Sequence, residues 1–261
     1  MADVLLSLKD LTVTVTENGV QKTLVDRVSL DVGKGSVVAL VGGSGSGKTT
    51  TGLSVLRLLA PALQMTQGNI IFDGKDLTRI SLDEMRRIRG KEIGMIFQDP
   101  LNAFNPVFSI GYQIEEVLQL HTDLDAGKRK VRIWELLNTV GINEPQRVAQ
   151  SYPHQLSGGM RQRAMIAQAM AADPKLLIAD EPTSSLDVTL QAHIIELFQE
   201  LRKKTGITIL LITHDLGVVE HLADQVAVMR QGSIVEFGAT RMIIKEPRHP
   251  YTRDLMNAVK V

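Results

Sequence analysis

The chain has 261 residues, 44% hydrophobic and 22% charged, a balance that supplies one or two packed cores and excludes a disordered chain. Lys and Arg number 29 against 29 Asp and Glu, so the formal net charge is zero, which argues against a duplex-binding surface and its basic excess. Cysteine is absent, excluding disulfides, thiolate metal sites, iron–sulfur clusters and a cysteine nucleophile from this chain.

Met1-Ala2-Asp3-Val4 has no basic n-region, so the start does not read as a signal peptide. No run of about 18 apolar residues occurs. A soluble, cytoplasmic protein is expected, with membrane contact coming through a partner. From Val4 to Val15 and from Leu24 to Val32, β-branched residues alternate with polar ones and predict half-buried antiparallel strands. Asn18-Gly19 between them is a turn signal. Val37 to Val41 is wholly apolar, the mark of a strand buried on both faces. A glycine loop and a helix from Thr49 to Leu59 are expected next. Ile93 to Phe97, Leu176 to Ala179 and Ile207 to Ile212 are further buried-strand runs. Between Gly111 and Ala171 the pattern is helical, with Val131, Leu136, Leu137 and Val140 at helical spacing. Leu222 to Phe237 reads as a closing β-hairpin around Gln231-Gly232. Strands alternating with helices predict an α/β fold: a parallel sheet with helices on both faces. One compact unit is expected, with a helical subdomain inserted at about residues 100–170.

The first chemical signal is Gly42-Gly43-Ser44-Gly45-Ser46-Gly47-Lys48-Thr49, a G-x-x-x-x-G-K-[ST] loop directly after a buried strand and before a helix. Its glycines let backbone amides curl around phosphate oxygens, and the helix N-terminus adds partial positive charge. Lys48 would reach the β- and γ-phosphates, and the Thr49 hydroxyl would ligate Mg²⁺. Such a loop signals nucleotide binding but names no reaction, because kinases, GTPases and transport ATPases share it. The second signal is the strand run that ends in Asp180-Glu181. Asp180 would hold Mg²⁺ through its water shell, and Glu181 would orient and polarise the attacking water. Taken alone, the same pair is an ordinary acidic turn. The third is Leu156-Ser157-Gly158-Gly159-Met160, ahead of Arg161-Gln162-Arg163 and a helical run to Ala171. Ser157 is a good N-cap, and two glycines permit close backbone approach to an anion at a helix start. One phosphate cradle already exists, so a second suggests service to a nucleotide held by another chain.

The set resembles the P-loop NTPase domain of the ABC-type ATPases, whose signature motif is LSGGQ. Met160 stands where glutamine is usual, a swap that leaves the Ser157 and Gly contacts intact. The resemblance covers essentially the whole chain and implies one ABC ATPase domain over residues 1–261. That domain would comprise an antiparallel β subdomain, a helical signature subdomain at about 100–170 and a short C-terminal helical segment at about 239–261. It further implies that Gln98 is the Q-loop glutamine, in contact with nucleotide and Mg²⁺, and that Thr50 joins the P-loop. Ser184-Ser185-Leu186-Asp187 looks like the D-loop and His214 like the switch histidine, acting beside Glu181 in catalysis. In isolation, Gln98 is an ordinary strand-end residue and His214-Asp215 a cap for the next helix. One departure is the aromatic that usually stacks on adenine near the end of the first strand. Val15 aligns there, and no Phe, Tyr or Trp precedes Phe72. Base stacking on an aromatic is worth about 1–3 kcal/mol in nucleic-acid complexes, so an aliphatic adenine seat implies weaker base discrimination.

Finer likeness comes from Asn102 to Gly111 after the Q-loop, from Tyr152-Pro153-His154-Gln155, and from His249-Pro250-Tyr251-Thr252. All three segments resemble the ATP-binding subunits of bacterial dipeptide, oligopeptide and nickel importers. Many peptide-type members carry a four-cysteine extension beyond this point and Glu at the position of Gly43. The short, cysteine-free form and Gly43 lean slightly toward the nickel type. The resemblance implies an ATP-hydrolysing, Mg²⁺-dependent motor at the cytoplasmic face of the inner membrane. Two ATPase chains would meet head to tail, the second a similar but non-identical one. Lys48, Thr49, Asp180, Glu181 and His214 would form one wall, and Ser157, Gly158 and Gly159 the other. Two membrane-spanning permease subunits would dock near residues 98–112, with a solute-binding protein outside and no nucleic acid. The competing reading is a soluble ABC ATPase acting on nucleic acid or ribosomes. It predicts a coiled-coil insertion, tandem ATPase halves or a basic surface, none of which the sequence carries. A GTPase would carry N-K-x-D, which is also absent.

Overall fold

The computed structural model describes residues 3–17, 19–184 and 186–259. The N-terminal alternation builds β1 (Val4–Glu17) and β2 (Val20–Gly33), an antiparallel pair with Glu17 opposite Val20 at its tip. Asn18 of the expected turn lies outside the described residues. β3 (Val37–Val41) follows, buried at every position. Next come α1 (Lys48–Val55), β4 (Leu63–Phe72), β5 (Lys75–Asp76) and α2 (Leu82–Ile88). β6 (Ile93–Ile96) precedes a helical series: α3 (Pro100–Ala103), α4 (Ile110–His121), α5 (Ala126–Thr139), α6 (Pro145–Gln150) and α7 (Gly158–Ala169). The remainder is β7 (Leu176–Asp180), α8 (Val188–Thr205), β8 (Thr208–Thr213) and α9 (Leu216–Leu222), then β9 (Gln225–Arg230), β10 (Ser233–Ala239), α10 (Thr240–Lys245) and α11 (Pro250–Val259). These residues form two compact units, one up to Met85 and from Arg202 onward, the other Arg86–Leu201.

The first unit holds two sets of strands. One is a four-stranded antiparallel sheet in the order β2-β1-β4-β5. The other runs β10-β9-β3-β8, with β3 parallel to both β8 and β9 and β10 antiparallel to β9. β3 and β8 are buried throughout, which is why their sequences show no alternation. The β9–β10 turn places Gln231 at φ 48° and Gly232 at φ 88°; positive φ at both central residues matches the twist of a tight hairpin. That hairpin begins at Gln225, not Leu222, because Leu222 is the buried last residue of α9. α1 also stops sooner than its apolar pattern suggests. Arg57 adopts φ 51°, and the Leu58 N–H returns to the Leu53 carbonyl at 2.9 Å, closing the helix end. Arg57 then donates to the Ile80 carbonyl at 2.8 Å, which holds that turn in place.

In the second unit β6 and β7 pair in parallel, from Ile93 opposite Leu176 to Ile96 opposite Ala179. A Cβ on Gly94 would overlap the Ala169 carbonyl, so glycine lets α7 pack directly on β6. The helical stretch holds three long helices, α4, α5 and α7, capped at their starts by the Ser109, Asp125 and Ser157 side chains. On α5 the buried face carries Ile133, Leu136 and Leu137, followed by Val140. Val131 is 49% exposed instead, so the apolar spacing placed one residue too many on the core side. Among the described residues no helix is long and apolar enough to cross a membrane.

One ion pair fastens the start of β3. Arg202 grips Asp224 through both nitrogens at 3.1 and 2.7 Å and donates from Nε to the Gly35 carbonyl at 3.0 Å. Asp224 also accepts the Val37 N–H at 2.8 Å. Replacing Asp224 with Ala leaves that amide and the guanidinium without their acceptor. After a discount for partial exposure, the loss is about 1–2 kcal/mol. The expected fall in the thermal midpoint is about 3–6 °C by calorimetry; an unchanged midpoint would show the bracket to be idle.

Candidate functional site

The P-loop is shaped by what its backbone touches. Gly42 has φ 155°, and a Cβ there would overlap the Met229 carbonyl. Gly47 has φ 101°, and its Cβ would sit 2.7 Å from the Leu24 carbonyl and 2.8 Å from Met229 Cε. Neither position tolerates a side chain, so the glycines at both ends of the motif follow from packing as well as from turn geometry. The Gly232 N–H donates to the Ser46 carbonyl at 3.0 Å, tying the loop to the hairpin turn. Lys48 is buried, 6% exposed, and its Nζ donates to the Gly42 and Gly43 carbonyls at 2.9 and 3.0 Å. A buried ammonium needs several oxygen partners; here the loop's own carbonyls supply them. Ser46 is buried, whereas Ser44, Gly45 and Thr49 are exposed and Thr50 is half-buried. The Thr50 carbonyl accepts the Ser54 hydroxyl at 2.7 Å. His214 lies in the same unit, exposed just past β8. Asp215, not His214, caps α9, accepting the Gly217 N–H at 2.8 Å.

In the other unit, Asp180 ends β7 and is 2% exposed. Glu181 follows in the left-handed region at φ 45°, an uncommon and strained state for a glutamate. Its carbonyl accepts the Ser184 hydroxyl at 3.1 Å, and its carboxylate accepts Gln98 Nε2 at 3.0 Å. Gln98 and Glu181 are 83 positions apart in sequence. The backbone turn thus sends two adjacent acids into different surroundings, Asp180 into the interior and Glu181 toward an amide donor. Among the described residues, no three His, Asp or Glu gather into a metal cluster.

The signature segment opens α7. Ser157 is its N-cap, with Oγ accepting the Met160 N–H at 3.3 Å. A Cβ on Gly159 would touch Leu190 of α8 at 3.1 Å, but one on Gly158 would meet nothing within 4 Å. Leu156 is buried, and Met160 is half-buried beside Arg163. Asp187 caps α8, its Oδ1 accepting the Leu190 N–H at 3.0 Å. Ser185 of the same motif lies outside the described residues. Val15, at the expected adenine-stacking position, is buried within β1.

Sequence reasoning missed the supports of the P-loop. Leu24 and Gly232 act through backbone atoms, and Met229 through its carbonyl and its Cε, so none carries a residue-type signal for this loop. Tyr251, whose hydroxyl accepts the Gly43 N–H at 3.0 Å, stands out in the sequence only as part of the His249-Pro250-Tyr251-Thr252 likeness.

Residues 25–184 match the ABC transporter family. The chain is 49% identical over 253 residues to the oligopeptide transport ATP-binding protein OppD of Bacillus subtilis, covering 97% of this chain and 71% of that one. It is 49% identical over 255 residues to the peptidoglycan transport ATP-binding protein YejF of Agrobacterium fabrum, but spans only 47% of that protein's length. Among solved structures, the dimeric ATP-binding cassette MJ0796 bound to ADP and Pi superposes with a TM-score of 0.82 at 28% identity, over 91% of this chain and 99% of that one. The chain belongs to the ABC transporter family and is one of its ATP-hydrolysing cassettes.

Proposed function

We propose that this chain is the motor subunit of a bacterial peptide importer and hydrolyses ATP in partnership with a second cassette. The observation that carries the reading is a pair of glycine-bearing helix starts, at α1 and at α7, in one chain. The first has the form of a phosphate cradle, with Lys48 seated by loop carbonyls beside the place phosphate oxygens would take. The second is not explained by its own fold: Gly158 faces open space, so close approach by something outside the chain accounts for the missing side chain. A γ-phosphate held by another cassette has the charge and size for Ser157 and the α7 amides. The oligopeptide and dipeptide transport proteins at 46–49% identity support peptides as cargo.

The chemistry asks for positioning and charge placement more than covalent help. P-loop amides and Lys48 would hold the β- and γ-phosphates. Thr49, Gln98 and Asp180 would hold Mg²⁺, whose charge offsets that of the phosphates when bound. The Glu181 carboxylate, steadied by the Gln98 amide, would orient and polarise the attacking water. His214 would act on the γ-phosphate side, and Asp187 would report across the pair of cassettes.

Exposed Phe97, Leu101, Val107, Phe108 and Tyr112 surround the Q-loop and the start of α4, with the Phe108 and Tyr112 rings stacked at 4.7 Å. An apolar group of this kind supports a landing surface; two permease subunits would sit there, with a solute-binding protein beyond them. The chain would then lie peripherally on the cytoplasmic face of the inner membrane. Co-purification with two polytopic subunits tests this, and co-purification with RNA or ribosomes would instead favour a soluble ABC ATPase.

Three substitutions test the roles in the reconstituted transporter. Glu181→Gln should retain ATP affinity and cut hydrolysis at its own site by at least about 100-fold, because shape survives and the polarising charge does not. Near-normal turnover, with the partner's equivalent site also disabled, would remove Glu181 from the chemistry.

Lys48→Ala should weaken MgATP binding about 10- to 100-fold by calorimetry, the scale of lost charge-assisted hydrogen bonds. Equal affinity at matched salt would count against the cradle.

Ser157→Phe should leave nucleotide binding at this chain's own P-loop within about twofold and abolish hydrolysis at the partner's. Loss at its own site alone, or full-rate hydrolysis by the isolated monomer whatever its concentration, would refute a signature acting in trans.

A further inference from the structure

The segment His249-Pro250-Tyr251-Thr252 plays no part in the reading above, yet it reaches the P-loop. The Tyr251 hydroxyl accepts the Gly43 N–H at 3.0 Å, and the Gly43 carbonyl accepts Lys48 Nζ at 3.0 Å. Both polar groups of one residue are therefore tied, one to a tyrosine and the other to the motif's lysine.

The tyrosine is itself held from several sides. The Arg230 guanidinium lies 4.9 Å from the centroid of its ring, at the end of β9 and next to the turn that grips Ser46. The Glu236 carboxylate of β10 accepts the Arg248 and His249 N–H groups at 2.8 and 3.0 Å, which fixes the approach to α11. The Tyr251 N–H bonds to His249 Nδ1 at 3.2 Å. A ring packed only to anchor α11 would leave its hydroxyl to solvent; this one is spent on a loop amide. The loop has Gly42, Gly45 and Gly47 at positive φ and carries high conformational freedom, so each tie lowers the ordering cost of binding.

We infer that Tyr251 is a positioning residue for nucleotide binding: its hydroxyl holds the Gly43 peptide so that the same residue's carbonyl seats Lys48. The inference rests on the reading of the P-loop as the ATP cradle. Tyr251→Phe in the full chain removes the hydroxyl and keeps the ring and its Arg230 contact. The expected result is a three- to tenfold rise in the MgATP dissociation constant by calorimetry, the fold-change of one ordinary hydrogen bond. In the assembled transporter the KM for ATP should rise by the same factor, and kcat should change less than twofold. The Gly43 amide should exchange faster by NMR, with the Gly232 amide unchanged and the thermal midpoint within about 2 °C. Arg230→Gln, which loosens the ring, should move the dissociation constant in the same direction by a smaller factor.

Unchanged or tighter binding by Tyr251→Phe would overturn the inference, and so would unchanged Gly43 exchange. A broad loss of thermal stability with kcat and KM moving together would make Tyr251 a structural anchor and overturn it equally. A wild-type chain that fails to bind MgATP would instead sink the reading of the P-loop on which the inference rests.

Discussion

Backbone against backbone, without side chains between, is the contact on which the first unit depends. The loop between β3 and α1 must leave amides other than that of Gly43 available to a ligand, so it cannot bury them in a sheet. It is braced through its other surface, by the Met229 carbonyl against Gly42 and the Leu24 carbonyl against Gly47. β2 and β9 must therefore bracket the loop closely, and the tight turn at Gln231-Gly232 follows as a way to bring a further amide onto Ser46. Parallel pairing of β3 with both β8 and β9 keeps the loop's first residue at the mouth of a buried strand. Lys48 completes the arrangement by folding back on the Gly42 and Gly43 carbonyls, the second of which also accepts the Ser46 N–H.

A chain with no net charge still concentrates charge where chemistry needs it. At the end of β7 two acids are adjacent in sequence, and equal surroundings would set them against each other. The left-handed turn at Glu181 separates them, burying Asp180 and giving Glu181 an amide donor in Gln98. Strain at a non-glycine residue is tolerated because the Glu181 carbonyl is held by Ser184 and its carboxylate by Gln98. Distinct environments let chemically similar groups take distinct roles.

Much of this was legible in the sequence because it depends on side-chain pattern. β3, β7 and β8 announce themselves as uninterrupted apolar runs, and the glycine loop and signature announce themselves by spacing. β4 did not. Between Leu63 and Phe72 only Ile70 and Phe72 are buried, and Gln64, Thr66, Gln67, Gly68 and Asn69 read as loop. What makes it a strand is its neighbour: β1 bulges at Asp10, and Gly68 accepts the close approach of the Lys9 and Asp10 carbonyls. The ends of helices failed for a similar reason. Arg57 has good helix propensity, but it turns to φ 51° past the end of α1 and its guanidinium donates to the Ile80 carbonyl. Contacts carried by backbone atoms, such as Met229 on Gly42, leave no trace in residue type on the contributing side.

The braces of the P-loop also set an order of events in the life of the chain. Gly43 and Tyr251 are 208 positions apart, and Met229 and Gly232 lie nearly as far downstream of the loop they support. Contacts at such separation repay their loop-closure entropy late. During synthesis, the segment from Gly42 to Thr49 leaves the ribosome well before its downstream supports, Met229, Gly232 and Tyr251, exist. A nascent chain can thus hold the β1–β2 pair while β3 and the P-loop still lack their partners, and a ligand that needs the finished loop finds no seat. The P-loop is therefore braced last, when the C-terminal hairpin and α11 have folded back onto the segment after β3.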